Sequence, residues 1–80
     1  MTGLPDNRRS AVRQALQGMD MHPWHRCHGL LVWRSGLQEW KFTGPAGGEI
    51  IGRAVGVDDA TAFIMANGIP GEPGGWRGRY

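Results

Sequence analysis

Eighty residues are enough for one domain and no more. A single cysteine, Cys27, excludes an internal disulfide, and the longest apolar run, Leu30-Leu31-Val32-Trp33, is far too short to cross a membrane. The net charge is only +2, but the arginines Arg8, Arg9, Arg13, Arg26 and Arg34 crowd the first half while Glu39, Glu49, Asp58 and Asp59 crowd the second. No apolar segment resembling a secretory signal opens the chain, so the expected location is cytoplasmic, in a bacterial host cytosol. A core of this size contributes about 3–5 kcal/mol, which makes docking to a partner valuable. A monomer or a homodimer is equally compatible with that figure.

The first predicted element is a helix over residues 6–17. Asp6 is placed to cap it, Ala11, Val12, Ala15 and Leu16 recur at helical spacing, and Gly18 suits a left-handed ending. Arg9, Arg13 and Gln17 form a polar stripe on that helix, with Arg8 beside them. Arg8 and Arg9 sit in the first turn, where the helix dipole disfavours positive charge, so helix stability does not explain them. They read either as a solvated face or as a stripe turned toward an anionic partner.

Residues 19–28 read as a connector, since Pro23 opposes a helix there. A strand over 29–34 follows, with Leu30 and Val32 on one face and Leu31 and Trp33 on the other. The plain expectation is that the first helix covers Leu31 and Trp33. Left uncovered beside Arg34, they would form a partner site. Ser35-Gly36 supplies a tight turn. The strand over 38–42 alternates, with Trp40 and Phe42 toward the core and Glu39 and Lys41 away from it. The strand over 49–55 contains Gly52, which marks a bulge or a close backbone approach.

A second helix over 58–67 has Asp58 as its cap, Phe63 and Ile64 facing the sheet, and a Schellman ending at Gly68 and Ile69. Residues 71–80 read as a flexible tail rich in glycine and proline, after a single domain over 1–70. The fold class is therefore α+β, in the order α-β-β-β-α, with a three-stranded antiparallel sheet and helices packed on it.

His22, His25, Cys27 and His28 put four zinc-ligating residues within seven positions. Ligands so close together, with no second cluster, do not surround one ion as a tetrahedron. The plain reading is a polar connector leading into a strand, with Cys27 partly buried; the third functional reading is a zinc-stabilised module, in one form of which a second subunit completes the coordination. No nucleophile turn, phosphate loop or dinucleotide fingerprint is present, and Asp58 and Asp59 are explained by helix capping. The expectation is a protein that is not an enzyme and carries no cofactor.

Four tryptophans are many for so short a chain, and tryptophan and arginine dominate binding hot spots. The tail alternates aromatic and cationic groups in Trp76-Arg77-Gly78-Arg79-Tyr80. That pattern suits base stacking with phosphate pairing, or insertion into an acidic protein groove. The residues expected to bind a partner are Arg8, Arg9, Arg13, Trp33, Arg34, Trp76, Arg77, Arg79 and Tyr80.

Gln38-Glu39-Trp40-Lys41-Phe42, Ile51-Gly52-Arg53-Ala54-Val55 and Val57-Asp58-Asp59-Ala60-Thr61-Ala62-Phe63-Ile64 resemble the β-β-β-α arm-binding domain of tyrosine integrases. That resemblance implies duplex DNA read by the sheet. Here the alternation offers Glu39 and Lys41, not a row of cations, on the exposed face of the middle strand. The order with a leading helix also resembles double-stranded RNA-binding domains, but Asp58-Asp59 stand where those carry a basic signature. In size and composition the chain is similar to small accessory proteins of phages and mobile elements, the anti-CRISPR proteins among them. The expected function is a stoichiometric protein-binding inhibitor or adaptor acting on a host protein or ribonucleoprotein complex that handles nucleic acid. The alternative is a small DNA- or RNA-binding protein using the same basic and aromatic residues.

Overall fold

The computed structural model describes residues 3–21 and 24–72. His22, Trp76, Arg77, Arg79 and Tyr80 lie outside them. The architecture is α+β, as the order of elements implies, but the sheet has four antiparallel strands.

The additional strand comes from the stretch read as a connector. β1, His25–Cys27, pairs with β2, Leu30–Gly36, in the register His25 to Val32 and Cys27 to Leu30. Two residues join them, His28 at φ 49° and Gly29 at φ 83°. Two consecutive positive φ values make the tight hairpin whose twist matches paired strands. This turn converts three residues of connector into an edge strand.

β2 runs on through Ser35 and Gly36, so the expected turn moves to Leu37 and Gln38. β3, Glu39–Thr43, then pairs with β4, Ile50–Val55. Phe42 faces Gly52 while Thr43 faces Ile50, which leaves Ile51 as an inserted residue. The strand order β1-β2-β3-β4 follows the sequence, as short antiparallel connections require.

Helix α1, Arg9–Gly18, is entered through a 3-10 turn at Asp6–Arg8. Pro5, not Asp6, occupies the capping position, and its carbonyl accepts the Arg8 N–H at 2.9 Å. Gly18 stays helical, and Met19 ends the helix in extended conformation by burying its side chain in the core. Helix α2, Val57–Asn67, is capped by Gly56 at φ 89°, with Asp58 and Asp59 in its first turn. Gly68 is extended rather than left-handed. No Schellman turn is needed, because incoming chain satisfies the end of the helix: Leu4 N–H donates to Met65 O and Gly3 N–H to Gly68 O. Ile69 N–H instead reaches across to His28 O at 2.8 Å.

Both helices pack on one face of the sheet, α2 against β3 and β4, and α1 against α2. Val12 and Leu16 of α1 meet Val32, Trp40 and Phe42 of the sheet and Ile64 of α2 in one buried core. Phe63 stacks on Phe42 with ring centres 4.3 Å apart. A Cβ on Gly52 would lie 2.2 Å from the Phe63 ring. Gly52 therefore serves both anticipated purposes, lying beside a bulge and admitting a close approach. The expectation that α1 covers Leu31 and Trp33 does not hold. Those residues lie on the opposite face of the sheet, which neither α1 nor α2 crosses, because α1 gains more by burying its apolar stripe against α2 and the core. Among the described residues no helix is long and apolar enough to cross a membrane.

Candidate functional site

Alternation along each strand, combined with the register, decides what the open face displays. Arg26, Leu31 and Thr43 stand in one row across β1, β2 and β3. Trp33, Lys41 and Arg53 stand in the next, across β2, β3 and β4. Trp24, just before β1, extends this second row, its ring centre 5.4 Å from that of Trp33 at a tilt of 49°. The Lys41 ammonium lies over the Trp33 ring, 5.2 Å from its centre. The order across the face is thus Trp, Trp, Lys, Arg.

Two hollows flank this row. One, of about 330 Å³, is lined by Ser35, Glu39, Lys41, Arg53 and Val55 together with the strand backbone between them. The other, of about 230 Å³, is lined by Trp24, Leu31, Thr43, Gly47 and Gly48. Arg26 donates from Nη1 to Pro45 O at 3.3 Å, tying the β3–β4 loop that lines the second hollow to β1. The strand residues pointing to this face therefore include three cations, Arg26, Lys41 and Arg53, against one carboxylate, Glu39.

The sequence-predicted site residues separate. Trp33 belongs to the open face. Arg34, next to it in the chain, points the other way. Its guanidinium donates to Gln17 O at 3.1 Å, Met19 O at 2.7 Å and Leu37 O at 2.6 Å, and lies 5.0 Å from the Trp40 ring centre. It closes the end of α1, where carbonyls point outward and a cation is favoured. Arg9 and Arg13 lie on the helical side and each faces a carboxylate: Arg9 is 3.6 Å from Asp6, and Arg13 Nε is 3.0 Å from Asp58. Arg8 lines a hollow of about 380 Å³ with Leu4, Pro5, His28, Pro70, Gly71 and Glu72. Burial, and secondarily the Arg8 charge, pushes the His28 pKa below its usual 6.5.

Of the zinc-type residues, His25 and Cys27 are buried on the helix-facing side, and His28 occupies the hairpin turn. Among the described residues no three His, Cys, Asp or Glu side chains gather into a metal-binding group.

Trp24, Arg26, Lys41 and Arg53 are the face residues that sequence reasoning left out. Each lies two positions from a recognised outward residue, or across a hairpin from one. The signal was the strand period carried through the turns, and it needed the first hairpin and the bulge to be aligned. Comparison with protein families, curated proteins and solved structures gives no match. The functional reading rests on this geometry.

Proposed function

We propose that the chain is a non-catalytic binding module that takes single-stranded nucleic acid on the open face of its sheet. The observation that carries this reading is the row Trp24, Trp33, Lys41, Arg53 on the sheet face opposite α1 and α2. Unpaired bases stack on indole rings, and cations beside them meet the phosphates. A duplex keeps its bases stacked inside and leaves the indoles without that role.

The position of Lys41 suits an exchange. Its cation–indole contact is worth about 0.5–1 kcal/mol at an exposed site. A base stacked on the same ring gains about 1–3 kcal/mol. Stacking therefore displaces the ammonium, which then pairs with the adjoining phosphate. The helix arginines contribute less, because Asp6 and Asp58 already offset two of them.

A second reading, a stoichiometric inhibitor or adaptor for a nucleic-acid-handling complex, is favoured by β4. That strand lies at the sheet edge and exposes Ile51 and Val55, at 53% and 69% of their surface. Apolar exposure of that kind suits a protein partner.

The test is fluorescence anisotropy of labelled single-stranded DNA, single-stranded RNA and duplex DNA at low and physiological salt. Single strands are expected to bind more tightly than duplex. With three cations engaged, log K is expected to fall against log salt with a slope of about −2. Trp33→Ala is expected to weaken binding about tenfold or more, and Lys41→Gln with Arg53→Gln to flatten the salt slope by about 1.4. Arg9→Glu with Arg13→Glu is expected to leave the domain folded and most of the affinity intact. Failure of every nucleic acid to bind at low salt would remove this reading and leave the protein target.

A further inference from the structure

The hollow beside Trp24 has a construction that the row of cations does not explain. Its lining joins the indole residue Trp24 and the strand residues Leu31 and Thr43 to two glycines of the β3–β4 loop, Gly47 and Gly48. Both glycines hold positive φ, +82° and +89°, where side chains are disfavoured. A Cβ on Gly47 would stand 3.5 Å from Leu31 Cδ1. The loop conformation thus favours glycine, without a side chain, at both lining positions.

The loop is also braced. Gly47 N–H donates to Gly44 O at 2.9 Å, Thr43 Oγ1 donates to Gly44 O at 3.1 Å, and Arg26 holds Pro45 from the opposite rim. A wall held in this way loses little freedom when a ligand enters. An indole and two glycine peptides in one lining, with the Arg26 guanidinium bonded to Pro45 of the same loop, supply the kinds of group a nucleotide uses: a flat π surface, polar backbone groups and a cation for a phosphate. The lining holds no carboxylate.

We infer that the slot formed by Trp24, Leu31, Thr43, Gly47 and Gly48 is a base-binding subsite that takes one unpaired nucleobase, with Arg26 at its rim meeting the neighbouring phosphate. This rests on the nucleic-acid reading above and deepens it. A strand held only by its phosphates would be bound without regard to its bases. A strand that inserts a base here is not.

The experiment compares a short oligodeoxythymidine with an abasic strand of the same length at one salt concentration. The base-bearing strand is expected to bind about tenfold or more tightly than the abasic one. Equal binding of the two overturns the subsite together with the stacking on Trp33 and leaves only phosphate binding, whereas the Leu31→Phe variant tests the subsite alone. Failure of both to bind overturns the underlying reading instead. Leu31→Phe fills the slot on a half-buried strand position and leaves Trp33, Lys41 and Arg53 in place. It is expected to cut the preference for the base-bearing strand about fivefold or more, to the part that stacking on Trp33 supplies, while the salt slope persists, with the melting temperature as the check on folding. Unchanged discrimination in a folded Leu31→Phe overturns the subsite. Titration of thymidine monophosphate into isotope-labelled wild-type protein gives a readout that needs no variant. The amide signals of Leu31, Thr43, Gly47 and Gly48 are expected to move, and the absence of any shift there overturns the assignment.

Discussion

Two cation–indole pairs occupy neighbouring rungs of the ladder between β2 and β3 and face opposite ways. Arg34 stands across from Trp40 on the helix-facing side, at 5.0 Å, and Trp33 stands across from Lys41 on the open side, at 5.2 Å. The inner cation is locked by three backbone carbonyls over a buried ring. The outer cation rests on a half-buried ring beside an open hollow. The same chemistry is structural on one face and, in the proposed function, meets the ligand on the other, and the difference lies in what surrounds it. Burial and hydrogen bonds make the inner pair part of the fold, whereas solvent leaves the outer pair exchangeable.

The inner face is where the largest loss of stability is expected. Gly52→Val places a side chain where the Phe63 ring already lies, 2.2 Å from where its Cβ would be built. Neither the strand backbone nor the Phe42–Phe63 stack yields cheaply, so the expected cost is about 3 kcal/mol. That approaches the whole stability of a domain this small. Urea unfolding measures it, and Gly52→Val combined with Phe63→Ala is expected to regain part of the loss. Additive losses in that double variant would refute the steric explanation.

The close approach at Gly52 was legible from the sequence, as were α2, β3 and the inward direction of Trp40 and Phe42. Those elements are long enough for their period to speak, and a glycine inside an apolar strand has few explanations. β1 was not legible, because three residues behind a proline carry no period. Its marker was the turn His28-Gly29, in which only the second position is glycine. The candidate site was half legible. Trp33 was placed by alternation, but Arg34 was grouped with it because the two are adjacent in the chain, although adjacent strand residues face opposite ways. Arg53 joined the site only through its pairing with Lys41, a register that the inserted Ile51 obscures. The helix ends were misread for another reason. Pro5, Met19 and the incoming Gly3-Leu4 segment supply what Asp6, Gly18 and Gly68 seemed placed to supply.

Exchanging the two cations sharpens the comparison. Arg34→Lys keeps the charge but loses the planar fork that serves Gln17, Met19 and Leu37 together. Hydrogen bonds from charged groups are worth about 1.5–3 kcal/mol each, and lysine recovers some of them, so a net loss of about 2 kcal/mol is expected. Lys41→Arg on the open face is expected to change stability by less than about 0.5 kcal/mol and to preserve nucleic-acid binding. Equal losses in both variants would mean that the outer pair is as structural as the inner one.

The smallest expected effect separates the helical side from the open face by pH. His28 is buried in the hairpin turn, and burial, with the nearby Arg8 charge second, pushes its pKa below 6.5. The folded protein therefore holds His28 neutral at a pH where the unfolded chain has begun to protonate it. Above about pH 6.5 both states are neutral and the group contributes no pH dependence. As pH falls through that value the unfolded chain binds the extra proton and stability declines, levelling once the folded pKa is passed. His28→Asn removes the titration and suits the backbone, since asparagine tolerates the φ of 49° found there. The variant is expected to match wild type within about 0.5 kcal/mol near pH 7.5 and to lose less stability by about pH 5. Thermal melts across that range measure the difference, which isolates the contribution of His28. Affinity for single strands near pH 7.5 is expected to be the same in both proteins, because His28 lies in the hollow with Arg8 and not among the open-face residues. A variant that binds more weakly while equally folded would show that the two sides of the sheet are coupled through the β1–β2 hairpin.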